Sequence, residues 1–367
     1  MPALPIESDV HLGSLIRNAL PTVSFPHTQI PLKCRRQFRV SIFALSTMLF
    51  SSVVLLSLPV VFGLCMDAPD ETVSQWQSFV SQHDKVYESA EEETRRFEIF
   101  RHNLDKIRQL NDEHGGVTTF GINKFSDMSE EEFSRMFFEE AHNKDEESYS
   151  LYPDIEALPE PPASKDWSKI VNLNVKNQNS CGDCYIFSVL GAIEAHKMIQ
   201  NPGRKYDLSE QEVLDCGKQF DCVGGSRSVV YGFVQDNGVT VAAAYQPYSA
   251  RKNRFCMVRR NTPMVRIQNF RTLPKGDENV LRKVVGNAGP VSVGIYASTQ
   301  FQHYHSGVIN VSNCPKTTNH AVLAVGYGVD KKTGTKYWKI KNSYGKKWGE
   351  EGYFRIARDA GNMLIMA

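Results

Sequence analysis

Gln178-Asn-Ser-Cys181-Gly-Asp-Cys184-Tyr185 runs without a break into Ile186–Ile199, and the fold and the chemistry both hang on how this stretch is read. Apolar residues at 186, 189, 190 and 193 have helical spacing, which predicts a buried helix beginning at the second cysteine. Three readings of the cysteine pair compete. A zinc site wants a second pair at similar spacing, but Cys216 and Cys222 are separated by five residues and no histidine lies near them. A CxxC redox pair wants a strand directly before Cys181 within its own βαβ unit, and that strand is missing. The third reading is a nucleophilic thiol. Cys184 then sits at a helix N-terminus, where the macrodipole favours thiolate. A thiolate nucleophile also needs an imidazole, and the imidazole needs an orienting group.

Those partners follow downstream in order. Asn319-His320-Ala-Val comes first, then Lys341-Asn342-Ser-Tyr-Gly345, then Trp348-Gly349. From residue 289 the apolar period changes to two, so Val291–Tyr296, Ala321–Tyr327, Lys336–Lys341 and Gly352–Ala357 read as strands between Gly turns. The last two hundred residues are thus helical first and β-rich later. With the Cys184 stretch, this order resembles the papain-like cysteine proteases, and closely their cathepsin L branch.

Upstream, the resemblance continues. Residues 69–140 read as helical, with Trp76, Phe79 and Val80, then Phe97, Phe100, Leu104 and Ile107, at helical spacing. Glu92, Arg96, Phe100, Asn103, Ile107 and Asn111 fall on one helix stripe. They match the helical proregion signature of the cathepsin L branch. Gly121-Ile-Asn123-Lys-Phe125-Ser-Asp127 matches its second proregion motif. Asp127 reads either as a paired internal switch or as a helix cap ahead of Ser129-Glu130-Glu131. Tyr152-Pro153 through Pro159-Glu160-Pro161-Pro162 cannot hold a helix and reads as an exposed linker.

The formal charge of +1 hides opposite halves. Residues 66–160 carry 9 basic against 24 acidic side chains, a charge of −15, and residues 161–367 carry 28 against 15, or +13. The two pieces are expected to attract each other, and acidification to loosen them. With 41% hydrophobic and 23% charged residues the composition is globular, which excludes wholesale disorder, collagen and a multi-span membrane protein. Lys33, Arg35, Arg36 and Arg39 precede Val40–Leu64, a run without charge that reads as a secretory signal or a signal anchor.

The resemblance implies an α+β, papain-like two-domain fold, a helical domain plus a β-barrel-like domain, preceded by a helical proregion. Residues 1–65 are then an N-terminal extension with its signal peptide or anchor, 66–160 an inhibitory propeptide, and 161–367 the mature peptidase domain. The implied function is a cysteine endopeptidase made as a zymogen and secreted or lysosomal. A catalytically inactive homologue acting as a binding or inhibitory protein is the competing class. Implied partners are protein or peptide substrates and the chain's own propeptide. No nucleic acid, cofactor or metal is implied, nor stable membrane association unless the N-terminal segment stays uncleaved, and the protein is expected to be a monomer.

Residue by residue, Cys184 is implied to attack as thiolate, with a thiol pKa of roughly 3–4 in its ion pair with the His320 imidazolium. Asn342 would orient His320, and Gln178 would donate to the oxyanion with the Cys184 backbone N–H. Gly224, Gly225, Ser226 and Arg227, with Gly294, Thr318 and Asn319 opposite, are the implied substrate-binding wall, where Arg227 either turns to solvent or presents its charge. Cys181–Cys222 and Cys216–Cys256 are the implied disulfides, Cys314 is implied to be free or to pair between chains because Leu364 occupies the family's cysteine position, and Asn310-Val-Ser312 is a glycosylation sequon. Three residues depart from the family pattern. Asp183 replaces a small residue and is expected either to raise the thiol pKa or to repel acidic substrate residues. Tyr185 replaces a Trp, and Tyr344 replaces the Trp that shields the Asn–His bond, which predicts a wetter bond.

Overall fold

A computed structural model describes residues 71–137, 155, 157–171, 173–310 and 317–359. The apolar N-terminal run, Cys314, Leu364 and most of the acidic stretch before the prolines lie outside these residues. In the acidic segment, α1 (Glu71–Gln82) packs Trp76 and Phe79 against Phe100 and Leu104 of α2 (Ala90–His114), forming a small apolar cluster. The Ser89 hydroxyl caps α2 by accepting from the Glu92 N–H at 3.2 Å, and Gly115, at φ 54°, ends it in a left-handed turn.

The polar members of the α2 stripe hold the chain that follows. Asn103 donates to the carbonyls of Ser126 and Met128, and Asn111 makes a two-way pair with the Phe120 backbone. Arg96 bridges Glu92, Glu132 and the Asp127 carbonyl. That chain is not helical throughout, as its spacing suggested. Thr118–Phe120 forms a strand, β1, before the short helix α3 (Glu130–Ser134). Three residues are too few to show a period, and the strand exists because a partner edge is available. Asp127 does not cap α3: Ser129 does, in a capping box with Glu132, while Asp127 accepts from Lys85 (2.7 Å) and Tyr87 (3.0 Å).

The basic segment opens with β2 (Lys165–Asp166). Its helical half contains α4 (Cys184–Gln200), α5 (Glu210–Cys216) and α6 (Arg227–Asp236). Helix α4 is apolar nearly all round and lies at the centre of the domain, between a cluster with Val213, Leu214, Val230 and Val234 and the sheet. Disulfides Cys181–Cys222 and Cys216–Cys256 fasten the loops of this half. The second half contains α7 (Glu278–Asn287), β3 (Val291–Ile295), β4 (Tyr304–Ile309), β5 (His320–Val329), β6 (Lys336–Lys341) and β7 (Tyr353–Ala357). The sheet runs β1-β4-β7-β6-β5-β2, with β3 on β5; only the β4–β7 pair is parallel.

Strand β4 escaped sequence reading because Gly307 breaks its alternation. That glycine is needed. At φ 97° its Cβ would stand 2.3 Å from the Val117 carbonyl, so only glycine lets β1 pair with β4 in the Thr118–Gly307 register. The acidic segment is therefore stitched to the sheet edge of the basic one.

Two further expectations change. The end of the proline-rich stretch is fastened rather than free: Pro161 is buried, Glu160 pairs with Arg282, and Tyr327 donates to the Pro162 carbonyl. The charge asymmetry also finds few direct partners. Among the described residues only Asp84–Lys347 and Glu160–Arg282 are ion pairs between the two segments, because Glu92, Asp127 and Glu132 pair inside their own.

Candidate active site

Helix α4 and strand β5 meet at their first residues. The Ala321 N–H donates to Cys184 Sγ at 3.4 Å, which seats the thiol at the α4 N-terminus beside His320. His320 Nε2 is 2.8 Å from Asn342 Oδ1, just beyond β6, and its Nδ1 is buried without a hydrogen-bond partner. Tyr344 stacks on the imidazole, ring centroids 5.2 Å apart, with Trp348 edge-on behind it. Tyr344 is fully buried, so the Asn–His bond is sealed, not wetter as the Trp replacement suggested. Tyr185 is buried as well, its hydroxyl tied to the Asp221 backbone.

Gln178 completes the group. Its Nε2 donates to the Cys181 carbonyl (2.8 Å) and to the Met136 carbonyl of the acidic segment (3.3 Å), while Oε1 accepts from Ser343. The acidic segment thus lies over all of these residues, with Phe137 5.6 Å from His320 and Phe125 edge-on to Tyr344. It is held by backbone-directed bonds: Gly121 N–H to the His303 carbonyl, Asn123 Nδ2 to the Gln302 carbonyl, and Gln302 Nε2 to the carbonyls of Phe125 and Met128.

Burial changes the acid–base state of the pair. The Cys184 thiol is pushed up to about 12, chiefly by desolvation, against the Ala321 N–H. Desolvation holds His320 down to about 4, against the Asn342 bond. Covered in this way, thiol and imidazole are each pushed toward the neutral form. Burial in this closed state therefore works against the ion pair that the resemblance implies for the open site.

The implied substrate wall comes together around β3. Arg227 donates to the Ser292 carbonyl at 2.7 Å; Gly294 leaves the space that Thr318 fills, its missing Cβ being 3.1 Å from Thr318 Cγ2. Asn319 is fixed by a two-way pair with the Ala297 backbone. Gly225 lies under the Tyr185 ring, where a Cβ would come within 2.5 Å, and Gly224 is buried at φ 148°. Ser226 stands at the N-cap position of α6 without a side-chain cap bond, its hydroxyl 2.7 Å from that of Ser228. Asn310 is exposed at the end of β4.

Tyr248 was not foreseen. Its hydroxyl touches both Asp183 carboxyl oxygens and the Gln178 carbonyl, and no sequence spacing links residue 248 to them.

A family model described as papain family cysteine protease matches residues 161–367, and one described as cathepsin propeptide inhibitor domain matches residues 76–133. Cysteine protease XCP2 of Arabidopsis thaliana is 36% identical over 306 residues, covering 81% of this chain and 83% of that protein. Digestive cysteine proteinase 1 of Homarus americanus is 35% identical and covers 82% of this chain and 94% of its own. The solved digestive procathepsin L 3 of Tenebrio molitor is 35% identical with a TM-score of 0.71, covering 81% of this chain and all of that one.

Proposed function

Because the chain belongs to the papain family of cysteine proteases and carries a cathepsin-type inhibitory propeptide, it is a cysteine endopeptidase made as a zymogen, and on that premise we propose which residues do the chemistry. Cys184 is the nucleophile. Its thiolate attacks the scissile carbonyl carbon, and the C–N bond breaks as His320 gives its proton to the leaving amine. Water then hydrolyses the acyl-enzyme, with His320 taking the water's proton and the thiolate released. Asn342 Oδ1 keeps the imidazole in its tautomer and orientation. Gln178 Nε2 and the Cys184 N–H receive the oxyanion, where one donor is worth about 3 kcal/mol.

The observation that supports this reading is the Met136 carbonyl on the Gln178 amide, beside the buried thiol. A peptide carbonyl from the propeptide occupies the donor that a substrate carbonyl would use, which also explains the inhibition. Gly224, Gly225, Ser226, Arg227, Gly294, Thr318 and Asn319 line the adjoining subsite, with Arg227 turned toward the Ser292 carbonyl rather than a substrate carboxylate. The propeptide is residues 66–160 and the mature enzyme 161–367, a monomer without stable membrane association once residues 1–65 are removed. Two disulfides and the N-terminal apolar run favour a secreted or lysosomal protein, with Asn310 a glycan site.

Cys184, His320, Asn342 and Gln178 are all retained, which favours the active reading over the inactive one. The test is hydrolysis of a fluorogenic peptide by the acid-processed protein. Cys184→Ala and His320→Ala abolish turnover, and Asn342→Ala retains a reduced rate. Full activity of a mass-verified Cys184→Ala would refute the assignment.

A further inference from the structure

Asp183 is fully buried at the N-cap position of α4, directly before the nucleophile, yet its side chain caps nothing. Both carboxyl oxygens lie instead against the Tyr248 hydroxyl, at 2.9 and 2.8 Å, and that hydroxyl is also 3.0 Å from the Gln178 carbonyl. Phe187 packs edge-on against the Tyr248 ring and fixes it there.

Counting hydrogens decides the state of this cluster. A phenol has one hydrogen and a carbonyl none. With Asp183 ionised, a single O–H faces a carboxylate and a carbonyl, and one close oxygen–oxygen contact is left lone pair against lone pair. With Asp183 protonated, a second hydrogen serves the cluster: its O–H donates to Tyr248 Oη, and the Tyr248 O–H donates to the Gln178 carbonyl.

The surroundings agree. The titratable groups facing Asp183 are Cys184 and Tyr185 on α4, Tyr248 from the loop before residue 250, and Glu210 on α5. None is a cation, and no cation pairs with Asp183 among the described residues. Lys176, close by, is taken up by Glu194, Asp207 and Glu210. Burial holds the Asp183 carboxyl well above the ordinary carboxylate range, against the Tyr248 hydrogen bond and with a smaller push from the Glu210 charge.

We propose that protonated Asp183 is a positioning residue that braces the oxyanion glutamine through Tyr248, and that loss of this one proton as the pH rises turns the mature site off. The inference rests on the assignment of Cys184 and Gln178 made above. Ionisation acts twice: it removes a hydrogen from the brace, and it puts a negative charge beside the sulfur, which disfavours the thiolate. An acid with a raised pKa keeps its proton at low pH, so activity is present in acid and fades as pH climbs through that value. The alkaline limb of the pH profile then belongs to Asp183 and not to the thiolate–imidazolium pair.

The experiment compares kcat/KM against pH for the acid-processed wild type, Asp183→Asn and Tyr248→Phe, each first labelled in a separate sample with a thiol-reactive epoxide inhibitor. Asparagine donates to Tyr248 without titrating, so the alkaline half-point in Asp183→Asn moves up by about one pH unit or more. Tyr248→Phe breaks the brace at every pH, and kcat falls about tenfold or more while KM changes little. Failure to label Cys184 in the wild type would overturn the nucleophile assignment itself. Labelled wild type with an Asp183→Asn limb that superimposes on it overturns the brace alone. If Asp183→Asn does not fold, an unchanged kcat in Tyr248→Phe does the same.

Discussion

Phe125 offers the clearest measure of what keeps the zymogen shut. Its ring is buried, edge-on to Tyr344 at 5.2 Å and to Phe133 at 5.1 Å, and Tyr344 in turn stacks on His320. Truncating a buried Phe to Ala costs about 3–5 kcal/mol. Phe133 lies in the propeptide and stays with it, so the lower end, about 3 kcal/mol, is the part charged to the closed state. At 1.4 kcal/mol per factor of ten, the open population rises about a hundredfold. A thiol-reactive epoxide reaches Cys184 only when the propeptide lifts. Its labelling rate in full-length protein at neutral pH therefore reports that population. Phe125→Ala should label about a hundredfold faster than wild type. A folded variant labelled within about threefold of the wild-type rate would refute the idea that this contact clamps the site.

Other consequences can be checked alongside it. His303 is buried with both ring nitrogens unpartnered, within reach of the Lys106 charge, and desolvation holds it down to about 4. A histidine whose pKa is lowered in the closed form destabilises that form as pH falls from 6.5 toward 4. His303→Phe should lower the pH of half-maximal self-processing by about half a unit, read from gels over a pH series, and no movement would exclude His303 as a contributor. Gly307→Val should drive β1 off the sheet edge and raise neutral-pH labelling of Cys184, whereas unchanged labelling would mean the strand pairing does not matter for inhibition. Arg227→Leu should leave the Glu/Leu preference at P2 within about threefold in a peptide library, because the guanidinium already serves the Ser292 carbonyl; a larger shift would show that its charge reaches substrate.

Much of the site was legible because its chemistry travels in short runs. Cys184 with its helix, His320 at the head of a strand and Asn342 after the next each carry a local signature. The α2 stripe was legible too, since a helix brings residues three and four apart onto one face. Features made by distant pairing were not. Strand β1 exists because an edge is open to it, β4 is interrupted by the glycine that admits β1, and Tyr248 meets Asp183 across 65 positions of sequence. Net charge was less informative: −15 and +13 are correct sums, yet among the described residues most propeptide carboxylates in ion pairs bind cations of their own segment. Among the described residues, docking is mainly backbone hydrogen bonding and aromatic packing. Burial under the propeptide works against both charges of the implied thiolate–imidazolium pair, which no local sequence signature could show.

The central claim is that one buried thiol, Cys184, is the nucleophile and that the propeptide hides it. Active-site titration tests this most directly: the protein is treated with increasing epoxide inhibitor before and after acid processing, and label per molecule, labelled residue and residual peptidase activity are followed together. The account predicts almost no labelling of the intact chain at neutral pH. After processing it predicts one label per molecule, on Cys184, with activity falling in proportion. Label on another residue, or full activity with Cys184 quantitatively modified, would contradict it.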